Sequence, residues 1–169
     1  MPSGKVHDKI AIISTIPVFI TGYSLFNISM DKCIILTLCT LFSQLMFGPD
    51  LDAKSTQYKR WGLFRWIWLP YRKIFRHRSR FSHGLILGPI LRCIYLLCFA
   101  FITIIGINFL LYKYFNITVA LKMLYIIKKI VLKLHCFNPF ILLVISGFFI
   151  GAAIHTLTDK IMSFFNNLL

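Results

Sequence analysis

Gly48-Pro49-Asp50-Leu51-Asp52 and, further on, His77-Arg78-Ser79-Arg80-Phe81-Ser82-His83-Gly84 bracket the stretch whose reading decides the fold. Nine of the nineteen Lys/Arg and all three tryptophans fall inside it, at 47–84. Long apolar segments lie on both sides. A polar, ligand-bearing loop between such segments reads as one face of a polytopic membrane helix bundle, so the expected fold class is all-α.

Composition supports a membrane. The apolar fraction is 58% and the mean hydropathy +0.77, above the roughly 45–50% apolar content of soluble domains. At 169 residues, with no repeat or composition break, the chain reads as a single domain, 1–169, with 49–82 as its basic, Trp-rich loop. The net charge of +14 does not point to nucleic acid. The cations adjoin apolar runs and alternate with Trp and Tyr, a pattern suited to a bilayer with anionic headgroups. The five cysteines, Cys33, Cys39, Cys93, Cys98 and Cys136, form no C-x-x-C pair and read as buried thiols.

The apolar runs predict spans at 10–28, 33–47, 85–112 and 139–157. Pro17 would kink the first and Pro49 ends the second. Pro70 should interrupt any helix in 53–76, a segment expected to lie among the headgroups with its tryptophans as an interfacial belt. Arg92, inside the third run, should face protein or headgroups. Residues 119–135 carry Lys122, Lys128, Lys129 and Lys133 among Leu and Ile, the pattern of an amphipathic peripheral helix. Gly147 and Gly151 have the small-xxx-small spacing of close helix packing. Four alternating spans bring His7, Asp50, His83 and His155 to one face. That face carries twelve Lys/Arg against six on the other, so the positive-inside rule places it in the cytoplasm.

The acids are more telling than the cations. The chain has no glutamate, and its five aspartates are Asp8, Asp31, Asp50, Asp52 and Asp159. Its five histidines are His7, His77, His83, His135 and His155. Four of each fall in the short clusters 7–8, 50–52, 77–83 and 155–159. His155 and Asp159, four apart on a helix, point to one side. Asp50 and Asp52 follow a helix end, where a loop can aim both inward. Imidazole with carboxylate is a ligand set for Zn²⁺ first, with Mn²⁺ or Fe²⁺ as alternatives. The metal ligands expected are His7, Asp50, His77, His83, His155 and Asp159. Each has a blander reading: Asp8 as a helix-start charge, Asp50 and Asp52 as salt-bridge partners, His77 as a headgroup contact. His135 has no acid near it and is given no role.

Gly48-Pro49-Asp50-Leu51-Asp52, Gln57-Tyr58-Lys59-Arg60-Trp61-Gly62, Trp66-Ile67-Trp68-Leu69-Pro70-Tyr71 and His77-Arg78-Ser79…Ser82-His83-Gly84 resemble a family of small bacterial membrane proteins known as uncharacterised metal-binding proteins. The opening Pro2-Ser3-Gly4-Lys5-Val6-His7-Asp8 and the closing Gly151…His155…Asp159 fit it as well. That family is similar in motif order to metal-dependent hydrolases of the bacterial inner membrane, themselves distantly related to zinc phospholipase C. The resemblance implies a phosphoester hydrolase binding one or two divalent ions. In that reading the ion activates a water, Asp52 or Asp8 orients it, and Arg78 and Arg80 hold phosphate oxygens. Placement at the membrane face implies a lipid phosphoester substrate. The competing expectation is a non-enzymatic metal-binding membrane protein, such as a sensor, carrier or assembly factor.

Overall fold

The computed structural model describes residues 4–75, 79–115, 125, 129 and 139–166. The architecture is all-α, with no strand among the described residues. Helix α1 spans Gly4–Ile20 and runs into a π turn, Thr21–Leu25. Helix α2 is Met30–Met46, followed by a 3-10 turn, Pro49–Asp52. Short pieces come next: α3 (Thr56–Arg60), a 3-10 helix (Gly62–Trp68), α4 (Leu69–Ile74) and α5 (Arg80–His83). Two long helices complete the described chain, α6 (Leu87–Phe115) and α7 (Pro139–Asn166).

Among the described residues, three segments are long and apolar enough to cross a membrane: Met30–Asp52, Leu87–Tyr114 and Pro139–Phe165. The run expected to span at 10–28 takes a different form. The first run is a helix of 17 residues that begins at Gly4 and takes in His7-Asp8-Lys9. At 1.5 Å per residue it covers only about 26 Å. Pro17 lacks the N–H of a helical turn, and the ladder loosens into the π turn just beyond it. The 119–135 helix, His135 and Cys136 lie outside the described residues, apart from Tyr125 and Lys129.

The bundle is held by α2 against α7. The buried residues of α2, Cys33, Leu36, Thr40, Ser43 and Gln44, recur every three or four positions and make one face. Gly147 and Gly151 of α7 lie flat on that face. A Cβ on Gly147 would sit 2.5 Å from Cys39 Cβ, and one on Gly151 2.5 Å from the Thr40 carbonyl. The close approach lets Ser43 Oγ donate to the Phe148 carbonyl at 2.9 Å. The small-residue spacing does what the sequence predicts.

The Trp-rich segment departs from expectation. Trp68 is 0% exposed and centres a core of Phe47, Leu51, Tyr58 and Tyr71, packed by Tyr95 from α6. Its ring lies 5.2 Å from Trp61, 5.5 Å from Tyr71 and 5.6 Å from Tyr95. Trp61 is half-buried, its Nε1 donating to the Met46 carbonyl at 2.8 Å. Only Trp66 of the three is exposed, so the trio is not an interfacial belt. Aromatic stacking of this kind folds the loop back on the helix ends and gives it a fixed shape. Nor does Pro70 interrupt a helix. It sits in the first turn of α4, where a missing N–H has no partner to lose.

Candidate metal centre

Four elements deliver the site. His7 comes from the first turns of α1, Asp50 from the 3-10 turn after α2, His83 from the end of α5, and His155 with Asp159 from α7. Pro49 and the extended Gly48 turn the chain sharply off α2, which aims Asp50 back at the bundle. Ser79 caps α5 by accepting from the Ser82 N–H, and this sets the short turn that presents His83.

The donor atoms converge. His7 Nε2 lies 3.2 Å from Asp159 Oδ1, and His155 Nε2 lies 3.4 Å from Asp50 Oδ2 and 3.7 Å from Asp159 Oδ2. His83 Nε2 lies 3.6 Å from Asp50 Oδ1. The His7 and His155 rings stack with centroids 4.2 Å apart. His155 is 3% exposed. Asp50 Oδ1, both Asp159 oxygens and His155 Nε2 are buried with no hydrogen-bond partner. Each such group costs about 1–3 kcal/mol if left so.

These separations are too long for charge-assisted hydrogen bonds, which run about 2.7–2.9 Å. They suit a shared cation. An ion at the roughly 2.0–2.2 Å usual for imidazole and carboxylate ligands holds tetrahedral donors about 3.3–3.6 Å apart. Three imidazoles and two carboxylates, with no thiolate, fit Zn²⁺, Mn²⁺ or Fe²⁺.

Behind the donors stands a supporting layer. His155 Nδ1 lies 3.4 Å from the Gln57 amide, which donates to the Gln44 carbonyl at 2.6 Å. Gln44 in turn donates to Ser14 Oγ at 2.8 Å. His83 Nδ1 lies 3.1 Å from Ser82 Oγ and 3.6 Å from Asp52 Oδ2. Both rings therefore present Nε2 to the centre while Nδ1 is occupied elsewhere, the arrangement that orients metal-ligating histidines. Arg92, 1% exposed, donates to the Ser82 carbonyl at 2.9 Å and interacts with Asp52 and Tyr71. Burial pushes the Tyr71 phenol above its ordinary pKa, which keeps it neutral beside that guanidinium.

Of the residues expected from sequence, His7, Asp50, His83, His155 and Asp159 come together. Asp52 stands behind His83, not among the donors. Asp8 pairs with Arg60 on the wall of the polar cavity beside the donors. His77 and Arg78 lie outside the described residues, and Arg80 begins α5. Sequence reasoning passed over Gln44, Gln57, Arg60 and Ser82. Gln44 was detectable, as a polar residue in register with Thr40 and Ser43 on an otherwise apolar helix. Two cavities border the donors. One of about 190 Å³ is lined by His7, Asp50, His155, Gln44, Gln57 and Arg60. The other, of about 550 Å³, is lined by His83, Ser79, Lys160 and the apolar Leu85, Ile86 and Leu87.

A family model described as uncharacterized metal-binding protein (DUF2227) matches residues 2–169. The chain belongs to this family. Family and geometry agree on the coarse function: this member is a metal-binding protein, and the His/Asp cluster offers the ligands. No curated protein and no solved structure matches the chain.

Proposed function

We propose that this family member is an integral membrane protein whose divalent-metal centre, Zn²⁺ in the first instance, hydrolyses a phosphoester carried by a lipid. The observation that carries this is the pair of cavities opening onto the donor atoms. A structural metal site is closed by its ligands, whereas a catalytic one leaves room beside the ion. His7, Asp50, His83, His155 and Asp159 would hold the metal, which supplies Lewis acidity and an acidified water. The chain's own groups fit the remaining tasks. Arg60 on the polar cavity and Lys160 on the larger one are cations placed to attract a phosphate. Arg78 and Arg80, shortly before His83 in the sequence, are proposed to add further contacts to its oxygens. Leu85, Ile86 and Leu87 give the larger cavity an apolar wall suited to an acyl chain.

The test is a panel of lipid and soluble phosphoesters given to detergent-purified, zinc-loaded protein. Release of phosphate or of the lipid alcohol is expected from a lipid member of the panel, and not from His155→Ala. Silence across the panel at full metal occupancy defeats the hydrolase reading. It favours a protein that holds metal for sensing, carriage or assembly, a role compatible with the burial of His155.

A further inference from the structure

We infer that the centre holds two divalent ions, with Asp50 bridging them. This rests on the metal reading above and specifies it. Asp50 divides its carboxylate: Oδ2 lies 3.4 Å from His155 Nε2, while Oδ1 lies 3.6 Å from His83 Nε2. A carboxylate serving one ion has no need to offer separate oxygens to two imidazoles from different helices. The donors accordingly fall into two triads that share this residue. His7, Asp50 and His155 form one, and Asp50, His83 and Asp159 form the other, each with its atoms within 4.8 Å of one another.

The buried polar atoms point the same way. An ion on the His155 side takes up Asp50 Oδ2. It leaves Asp50 Oδ1 buried and without a hydrogen bond on the His83 side. A second ion there satisfies that oxygen, and Asp159, grouped with Asp50 and His83 and within 3.2 Å of His7 Nε2 as well, completes its ligands. The surroundings divide likewise. His7 and His155 line the polar cavity with Arg60, and His83 lines the larger one with Lys160. Paired ions sharing a carboxylate sit about 3.5–4 Å apart in two-metal sites and clamp the two oxygens of a phosphoryl displacement.

The experiment is elemental analysis of the full-length, detergent-purified protein after loading with Mn²⁺ and removal of excess, with electron paramagnetic resonance on the same samples. Two manganese per chain and an exchange-coupled signal are expected. His7→Ala and His83→Ala should each retain one ion with an uncoupled signal. Asp50→Asn should lose coupling and fall to one ion or fewer. Far-ultraviolet circular dichroism identifies any variant that has lost its helices, and His83→Gln, closer in shape, stands in where His83→Ala has. One uncoupled manganese in the wild type overturns the paired centre while leaving the metal reading intact. No manganese and no zinc bound overturns both.

Discussion

Arg92 shows how one residue can govern a site it does not touch. It lies in the second turn of α6, with its guanidinium 5.7 Å from the Phe47 ring centroid and its Nη1 on the Ser82 carbonyl. A buried charge in an apolar helix is expensive unless compensated, and such residues are kept for what they organise. Here it fixes the backbone one residue before His83 and attracts, through space, the buried carboxylate of Asp52, which lies 3.6 Å from His83 Nδ1. Gly88 makes room for it, since a Cβ there would meet the Ser82 carbonyl at 2.7 Å. Asp52→Asn should therefore weaken metal affinity by about 10–100-fold, without changing the number of ions bound at saturation. Arg92→Leu leaves the buried Ser82 carbonyl without its donor and should cost about 1–3 kcal/mol of stability. Thermal unfolding in detergent and titration with a chelating metal indicator read the two effects separately. Unchanged affinity in Asp52→Asn would leave that residue with no part in holding His83.

At the scale of helices, the contact of α7 on α2 ties stability to the site, because Gly151 precedes His155 by one turn. Gly151→Leu drives a side chain into the Thr40 carbonyl and Ser43 Cβ, 2.5 and 2.6 Å from where a Cβ would stand. Overpacking of this kind costs about 1–3 kcal/mol, and displacing α7 also moves His155 and Asp159 away from Asp50. A lower unfolding temperature together with lost metal is the expected result. Gly106→Leu is the control, since nothing lies within 4 Å of a Cβ at that position. Equal stability of both variants would show that the α2–α7 contact is not close-packed. This contact was legible in the sequence because glycines one turn apart in an apolar helix have little other purpose. His155 and Asp159 were legible for the same reason, as spacing on a helix fixes their direction. Trp68 and Arg92 were not. Periodicity tells which face of an element is apolar, but not which neighbour arrives to cover it. The reading of the tryptophans as a belt failed on that point: Phe47 and Tyr95, distant in sequence, bury Trp68. The start of α1 was missed because His7-Asp8-Lys9 looks like a polar lead-in. Its partners Asp159 and Arg60 come from the far end of the chain and from the loop.

For the molecule as a whole, the helix surfaces decide the environment. Helix α6 leaves Leu97, Phe101, Ile102, Ile105 and Phe109 exposed, and α7 leaves Phe140, Leu142, Phe164 and Phe165. At about 25 cal/mol per Å² of apolar surface, water is a poor solvent for such helices, and acyl chains are a good one. The chain should therefore stay with membranes through alkaline washing. Its orientation follows from where the charges stand. Lys5 and Lys9 on α1, Arg60 and its neighbours in the loop, and Lys160 near the end of α7 gather at the end that holds the His/Asp cluster. Lys32 at the start of α2 and Lys113 at the end of α6 mark the opposite end. Short basic segments are retained on the cytoplasmic side, so the cluster and the end of α7 should both face the cytoplasm. A fluorescent protein that folds only in the cytoplasm, fused after Leu169, should be bright. A periplasm-dependent phosphatase fused at the same point should be inactive. The reverse pattern would put the metal centre on the outer face, where any lipid substrate would have to come from the other leaflet.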